Sequence, residues 1–184
     1  MRLRGLRTLK NIMTIQWLYL PLYILHRFTD LFPNDEVFKS LRSFILKPFG
    51  LRISTGSKFG RGVFVQDYGK FRVGNKSVVN NLVYFDSSHG IVIGDGCDIG
   101  FKSCFITSTH KLESDFQNDR PIDESRCGQI VIEDFVWIGA NATILPGVTV
   151  KRGAVVGACS LVTSDVEENS VVVGIPAKKV KSLQ

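Results

Sequence analysis

Three histidines, His26, His89 and His110, are the side chains of this chain best suited to move a proton near neutral pH. His110 closes the segment "ITSTH", directly before "KLESDFQNDRPIDESRCGQIV", a polar and acidic stretch whose centre reads as a loop. A neutral imidazole there can take the proton of a hydroxyl as its oxygen attacks a carbonyl carbon, although an ordinary exposed histidine fits the position equally. No G-x-S-x-G elbow is present and no cysteine has a histidine beside it in sequence, so a covalent acyl route has no visible nucleophile. Cys97, Cys104, Cys127 and Cys159 form no C-x-x-C pair. They read as reduced packing residues of a cytosolic chain, because zinc thiolates normally come in close pairs and disulfide frameworks belong to small secreted domains.

What must position His110 is visible in the residues after it. From Ile132 the chain reads "IEDFVW IGANAT ILPGVT VKRGAV VGACSL VTSDVE", with Ile or Val opening every block of six. The fifth place of each block is small or β-branched: Val136, Ala142, Val148, Ala154, Ser160 and Val166. Neither a half-buried strand nor an amphipathic helix has this period. Three short strands and three corners per coil, stacked into a prism, place the first and fifth residues inside. Coils of about eighteen residues follow from three such blocks. Gly94, Gly100, Gly139 and Gly157, second in their blocks, are expected to serve the corners' backbone conformation. His110 is sixth in its block, beside an inward Thr109, and should project outward at the loop's edge.

The rhythm starts raggedly at Ile53, shifts phase before Ile93, and is broken by residues 111–131. Residues 1–50 read as helical, with apolar positions at Ile12, Ile15, Leu18, Leu22 and Leu25 and again at Val37, Leu41, Phe44 and Ile45. The reading is therefore a helical N-terminal region, 1–50, followed by a β-helix domain, 51–184. The basic start "MRLRGLRTLK" and apolar run "IMTIQWLYLPLYIL" lack a small-x-small cleavage site, and the run is too short to span a bilayer comfortably. Packing of that run on the domain or a neighbouring subunit, or peripheral contact with anionic lipid, are both open. A net charge of +6 over 184 residues permits phosphate-bearing ligands but is also an ordinary solvated surface.

These blocks, with "ITSTH", "VWIGANATILPGVTV" and "VVGIPAKKVK" in that order, resemble the hexapeptide-repeat acyltransferases, which include galactoside, maltose, serine and streptogramin acetyltransferases. The resemblance implies an all-β, left-handed parallel β-helix; the hand comes from the family, since parallel crossovers are otherwise right-handed. It also implies acetyl transfer from acetyl-CoA to a hydroxyl, directly within a ternary complex and without a metal, with His110 as general base. For the acceptor it points to Asn80 ahead of Asn81, and Asp86 and Trp137 are candidates beside it. For the cofactor it points to Ala140, Ala158, Thr163, Lys178 and Lys181, the lysines toward the CoA phosphates. A homotrimer with sites between subunits is implied. So is a cytoplasmic enzyme acting on a sugar or polysaccharide precursor, with its N-terminus a candidate for the inner membrane face. Serine, streptogramin and amino-sugar acceptors, and a non-catalytic scaffold, remain alternatives. A β-helix of the γ-carbonic anhydrase type needs three converging histidines, and the spacing of His26, His89 and His110 does not match that site.

Overall fold

The computed structural model describes residues 21, 24–25, 27–46, 52–112 and 121–183. Inward residues six apart make each block one short strand and one corner, and the chain winds around three faces. The first face stacks Arg52–Ile53, Phe71–Val73, Ile91–Ile93, Ile130–Ile132 and Thr149–Val150. The second stacks Lys58–Phe59, Val78–Val79, Asp98–Ile99, Trp137–Ile138, Val155–Val156 and Ser170–Gly174. The third stacks Phe64–Val65, Tyr84–Asp86, Cys104–Ile106, Thr143–Ile144 and Leu161–Val162. These strands pair in parallel, as in Ile93↔Ile132 and Ile132↔Val150. The architecture is a left-handed parallel β-helix of about six turns.

The interior follows the hexad. Ile132, Ile138, Ile144, Val150, Val156 and Val162 are buried, and so are all six fifth-place residues from Val136 to Val166. In the earlier coils aromatic rings join this interior: Phe71 and Phe85 pack in a tilted contact with centroids 4.7 Å apart, Phe85 and Phe105 in another at 4.8 Å. Each buried ring contributes about 1.5–3 kcal/mol from apolar area removed from water.

Two details depart from the sequence reading. Gly100 and Gly139 are not in the left-handed backbone region; a Cβ on Gly100 would lie 2.6 Å from the Ala140 nitrogen, and one on Gly139 2.5 Å from that of Ala158. Close approach of the next coil excludes a side chain there. The left-handed conformation falls instead on fourth-place residues such as Asn141 (φ 57°), Gly147 (φ 78°) and Cys159 (φ 59°). The coils also differ in length. Ile53 pairs with Val73 and Val73 with Ile93, twenty residues apart, whereas Ile132 and Val150 are eighteen apart. The two extra residues sit at the corner between third and first faces, after Val65 and again after Phe85, and this explains the early phase shift.

Helix α1 (Glu36–Leu46) begins after Asp35, whose carboxylate accepts the Phe38 N–H at 3.0 Å, and packs on the start of the second face. Its inward side carries Arg42, which is 1% exposed and donates to the carbonyls of Thr29, Phe32 and Pro33 at 3.2, 2.9 and 3.0 Å. Val37 and Phe44, whose spacing marked the helix, are 73% and 71% exposed. Most of the apolar run 12–25 lies outside the described residues, so its docking is not observed. No helix among the described residues is long and apolar enough to cross a membrane. At the other end Ser170–Gly174 pairs antiparallel with Ala177–Ser182 and closes the second face.

Candidate active site

The corner with surplus length holds His110. Just before it, the buried Asp86 carboxylate accepts five hydrogen bonds: from the Ser108 hydroxyl and N–H at 2.6 and 3.1 Å, from the Thr107 N–H at 3.2 Å, and from the Ser88 hydroxyl and N–H at 2.6 and 3.2 Å. Burial pushes this carboxyl up, but the donors of Ser108, Ser88 and Thr107 together outweigh it and hold it below the usual carboxylate range. The Thr107 hydroxyl also donates to the Asp86 carbonyl at 2.8 Å. Asp86 is thus committed to fastening residues 107–108 and presents no open carboxylate to an acceptor.

The backbone around His110 is held from its other side. It forms an antiparallel bridge with Ile122, flanked by Asp123 N–H to Thr109 carbonyl at 2.8 Å and Lys111 N–H to Pro121 carbonyl at 3.0 Å. The ring is exposed, as expected for a sixth-place residue. A pocket of about 250 Å³ lined by Lys111, Leu112, Asp123 and Arg126 adjoins it in sequence. Thr163, exposed, lies on the same edge of the prism two coils further on.

Asn80, Trp137, Ala140 and Ala158 gather at a different edge, between second and third faces. The Asn80 amide donates to the Asp98 carboxylate and the Ile99 carbonyl, both at 3.1 Å. Asp98 stands opposite Trp137 in the parallel ladder, and the indole is 56% exposed. Ala140 and Ala158 occupy equivalent turns of successive coils, joined by the Cys159 N–H to Ala140 carbonyl bond at 2.8 Å. On this edge a pocket of about 360 Å³ is lined by Asp30, Asn34, Arg61, Gly62, Asn81, Leu82 and Phe101. Asn81 therefore faces the pocket; its side-chain oxygen accepts the Arg61 N–H at 2.9 Å. Lys178 and Lys181 are exposed on the closing strand, while Lys179 between them is tied to Glu167 at 2.6 Å.

Apart from Lys178 and Lys181 on the closing strand, the expected site residues thus fall into two groups on opposite edges of the third face, and one prism does not bring the two groups together. Sequence reasoning missed Ser88, Ser108 and the contribution of the 29–34 turn to the larger pocket. The surplus residues after Phe85 were the available signal for the first two. Asp30 carried none, because its place under Gly62 (N–H to carboxylate 2.8 Å) depends on packing thirty-two residues apart.

The family model for bacterial transferase hexapeptide (six repeats) matches residues 129–164, the cleanest part of the rhythm. A Staphylococcus aureus (strain COL) protein, assigned as an acetyltransferase by name only, is 37% identical over 121 residues, which are 65% of this chain and 59% of its own. The chain thus spans about three fifths of that curated relative's length. Among solved structures, a hexapeptide-repeat-containing acetyltransferase of Vibrio cholerae O1 biovar eltor, crystallised with acetyl-CoA, superposes with a TM-score of 0.74 at 29% identity. It covers 86% of this chain and 84% of its own. A maltose O-acetyltransferase of Clostridium difficile 630 gives 0.74 at 28% identity, covering 88% and 84%. Repeat, fold and relatives agree: the chain carries the hexapeptide-repeat β-helix and is similar to hexapeptide-repeat acetyltransferases.

Proposed function

We propose that this protein transfers an acetyl group from acetyl-CoA to a hydroxyl of a sugar or polysaccharide precursor, with His110 as general base. The observation that carries this reading is an exposed imidazole at the prism's edge, its backbone held on one side by the Asp86-bound segment and on the other by the Ile122 bridge. Neutral His110 takes the hydroxyl proton as the acceptor oxygen bonds to the thioester carbon. The tetrahedral oxyanion is met by a backbone N–H. Its collapse breaks the carbon–sulfur bond, and the imidazolium returns its proton to the departing CoA thiolate. Atoms and charge balance without an acyl-enzyme.

The chain's residues suit the donor. The turns of Ala140 and Ala158 let a pantetheine arm lie close to the coils, and Thr163 offers a hydroxyl on the neighbouring edge. Lys178 and Lys181, with no ion pair among the described residues, offer charge to phosphates as flexible point charges. The larger pocket, with Asp30, Arg61 and Asn81 beside Phe101, suits a polyhydroxylated ring: polar groups for hydroxyls, an apolar surface for the ring face. Asn80 and Trp137 border the same edge.

The separation of the two groups supports catalysis in the cleft between neighbouring copies, the His110 edge of one facing the Trp137 edge of the next, in a homotrimer. The protein acts in the cytoplasm on this reading, with its N-terminal segment directed to the inner membrane face or to a neighbour. Thioester cleavage followed across a panel of sugars tests it. His110→Ala is expected to lose roughly 10²- to 10⁴-fold in turnover with an unchanged circular dichroism spectrum. Near-normal turnover in that variant removes His110 from the role.

A further inference from the structure

Beside the corner that holds His110, the geometry points to a structural site for a divalent transition metal of the zinc class, formed by His89, Glu124 and Cys127. One ligand atom from each lies within 4.8 Å of the others, and His89 Nε2 is 3.1 Å from a Glu124 carboxylate oxygen. The three come from two chain segments: His89 from the surplus corner after Phe85, Glu124 and Cys127 from the limb that returns to Ile130. Sequence spacing could not disclose this set, since it contains neither paired cysteines nor paired histidines.

The chemistry of the donors selects the ion. Imidazole, thiolate and carboxylate are the protein ligands of zinc, at about 2.0–2.3 Å, with a water completing the tetrahedron. Such bond lengths set ligand atoms roughly 3.5 Å apart. The imidazole–carboxylate distance of 3.1 Å is already close to that, and the Cys127 sulfur lies within 4.8 Å of both other ligand atoms. A hard cation such as magnesium or calcium would not select the thiol.

The surrounding groups are those a metal site uses. His89 Nδ1 lies 3.4 Å from the Ser88 hydroxyl, which donates to Asp86 at 2.6 Å. With Nε2 on the metal, this chain orients the ring from behind, as outer carboxylates do for metal-bound histidines. The Thr109 N–H donates to Cys127 Sγ at 3.4 Å, and the thiol reaches back to the Thr109 carbonyl at 3.9 Å, which ties the sulfur to the backbone beside His110. His89 and Cys127 are half-buried, and Glu124 is exposed, which leaves an entry path and room for the water. Bound metal would cross-link the coil to the returning limb. Through Thr109 it would also stiffen the backbone immediately before His110.

The test reads the metal directly and needs no turnover. Metal-stripped protein is titrated with Co²⁺, whose bond to a thiolate gives a charge-transfer band, and then with Zn²⁺, which bleaches the band by displacement. One equivalent per chain is expected. Cys127→Ser and His89→Gln should abolish the band, and Glu124→Gln should weaken Co²⁺ binding by more than the 10- to 100-fold typical of outer partners. Melting curves without metal check that each variant folds; because the Glu124 side chain is exposed, Glu124→Gln serves even if the others do not fold. A band that survives Cys127→Ser or His89→Gln, an affinity unchanged in Glu124→Gln, or no band in the natural chain under excess Co²⁺ overturns the proposal.

Discussion

The hydroxyl of Ser108 donates to the carboxylate of Asp86 at 2.6 Å, across twenty-two residues of sequence and two residues before His110. This bond, with the four others Asp86 accepts, makes one carboxylate the anchor of the candidate catalytic corner.

Asp86→Ala leaves the donors of Ser88, Thr107 and Ser108 without their acceptor in a buried place. A loss of roughly 3–5 kcal/mol is expected, since hydrogen bonds to a charged group are strong and orphaned donors add their desolvation cost. Urea unfolding measures it. A loss below about 1 kcal/mol would mean that water replaces the carboxylate freely.

The same carboxyl sets a pH dependence. Its folded pKa is depressed below the unfolded value near 3.8, so the folded state favours the ionised form. The stability it contributes is fully present above the unfolded pKa and is lost as pH falls through the folded one. Melting temperature should therefore fall in acid below about pH 4, and Asp86→Asn should flatten that fall. An acid limb of equal slope in the variant would assign it to other groups.

Two glycines separate crowding from backbone conformation. Gly100→Ala pushes a Cβ to 2.6 Å from backbone atoms of the next coil, and backbone cannot step aside cheaply. Gly147→Ala meets nothing within 4 Å and bears only the strain of φ 78°. The first should cost roughly 2–4 kcal/mol by forced shifts in a packed stack, the second about 1–2 kcal/mol. Equal melting temperatures for the two variants would contradict this reading of the corners.

Lys178→Glu replaces an attracting charge with a repelling one on the exposed closing strand. The Michaelis constant for acetyl-CoA should rise about tenfold, with little change in turnover number, and the difference should shrink in high salt. An unchanged constant at low salt would remove Lys178 from the phosphate contact.

The stacked interior was legible because a period of six has one geometric outcome, and Ile132 through Val162 are buried as the rhythm requires. What escaped the sequence was whatever depends on neighbours in the stack. Gly100 is fixed by the coil above it, Asp86 by donors of its own corner and of the next coil, and Arg42 by carbonyls of a turn folded beneath it. The apolar positions of α1 gave its period correctly. They did not tell which side turns inward, because a guanidinium with three carbonyl partners settled that.

Chain length varies at one edge only. From Ile53 and again from Val73 the column advances by six residues, then six, then eight; from Ile93 it advances by six, six and twenty-seven, and from Ile132 by three sixes. Two edges keep the stack in register, and the third is free to lengthen without disturbing it. A scaffold divided in this way can change what it recognises by editing a single seam while its interior sequence stays as it is.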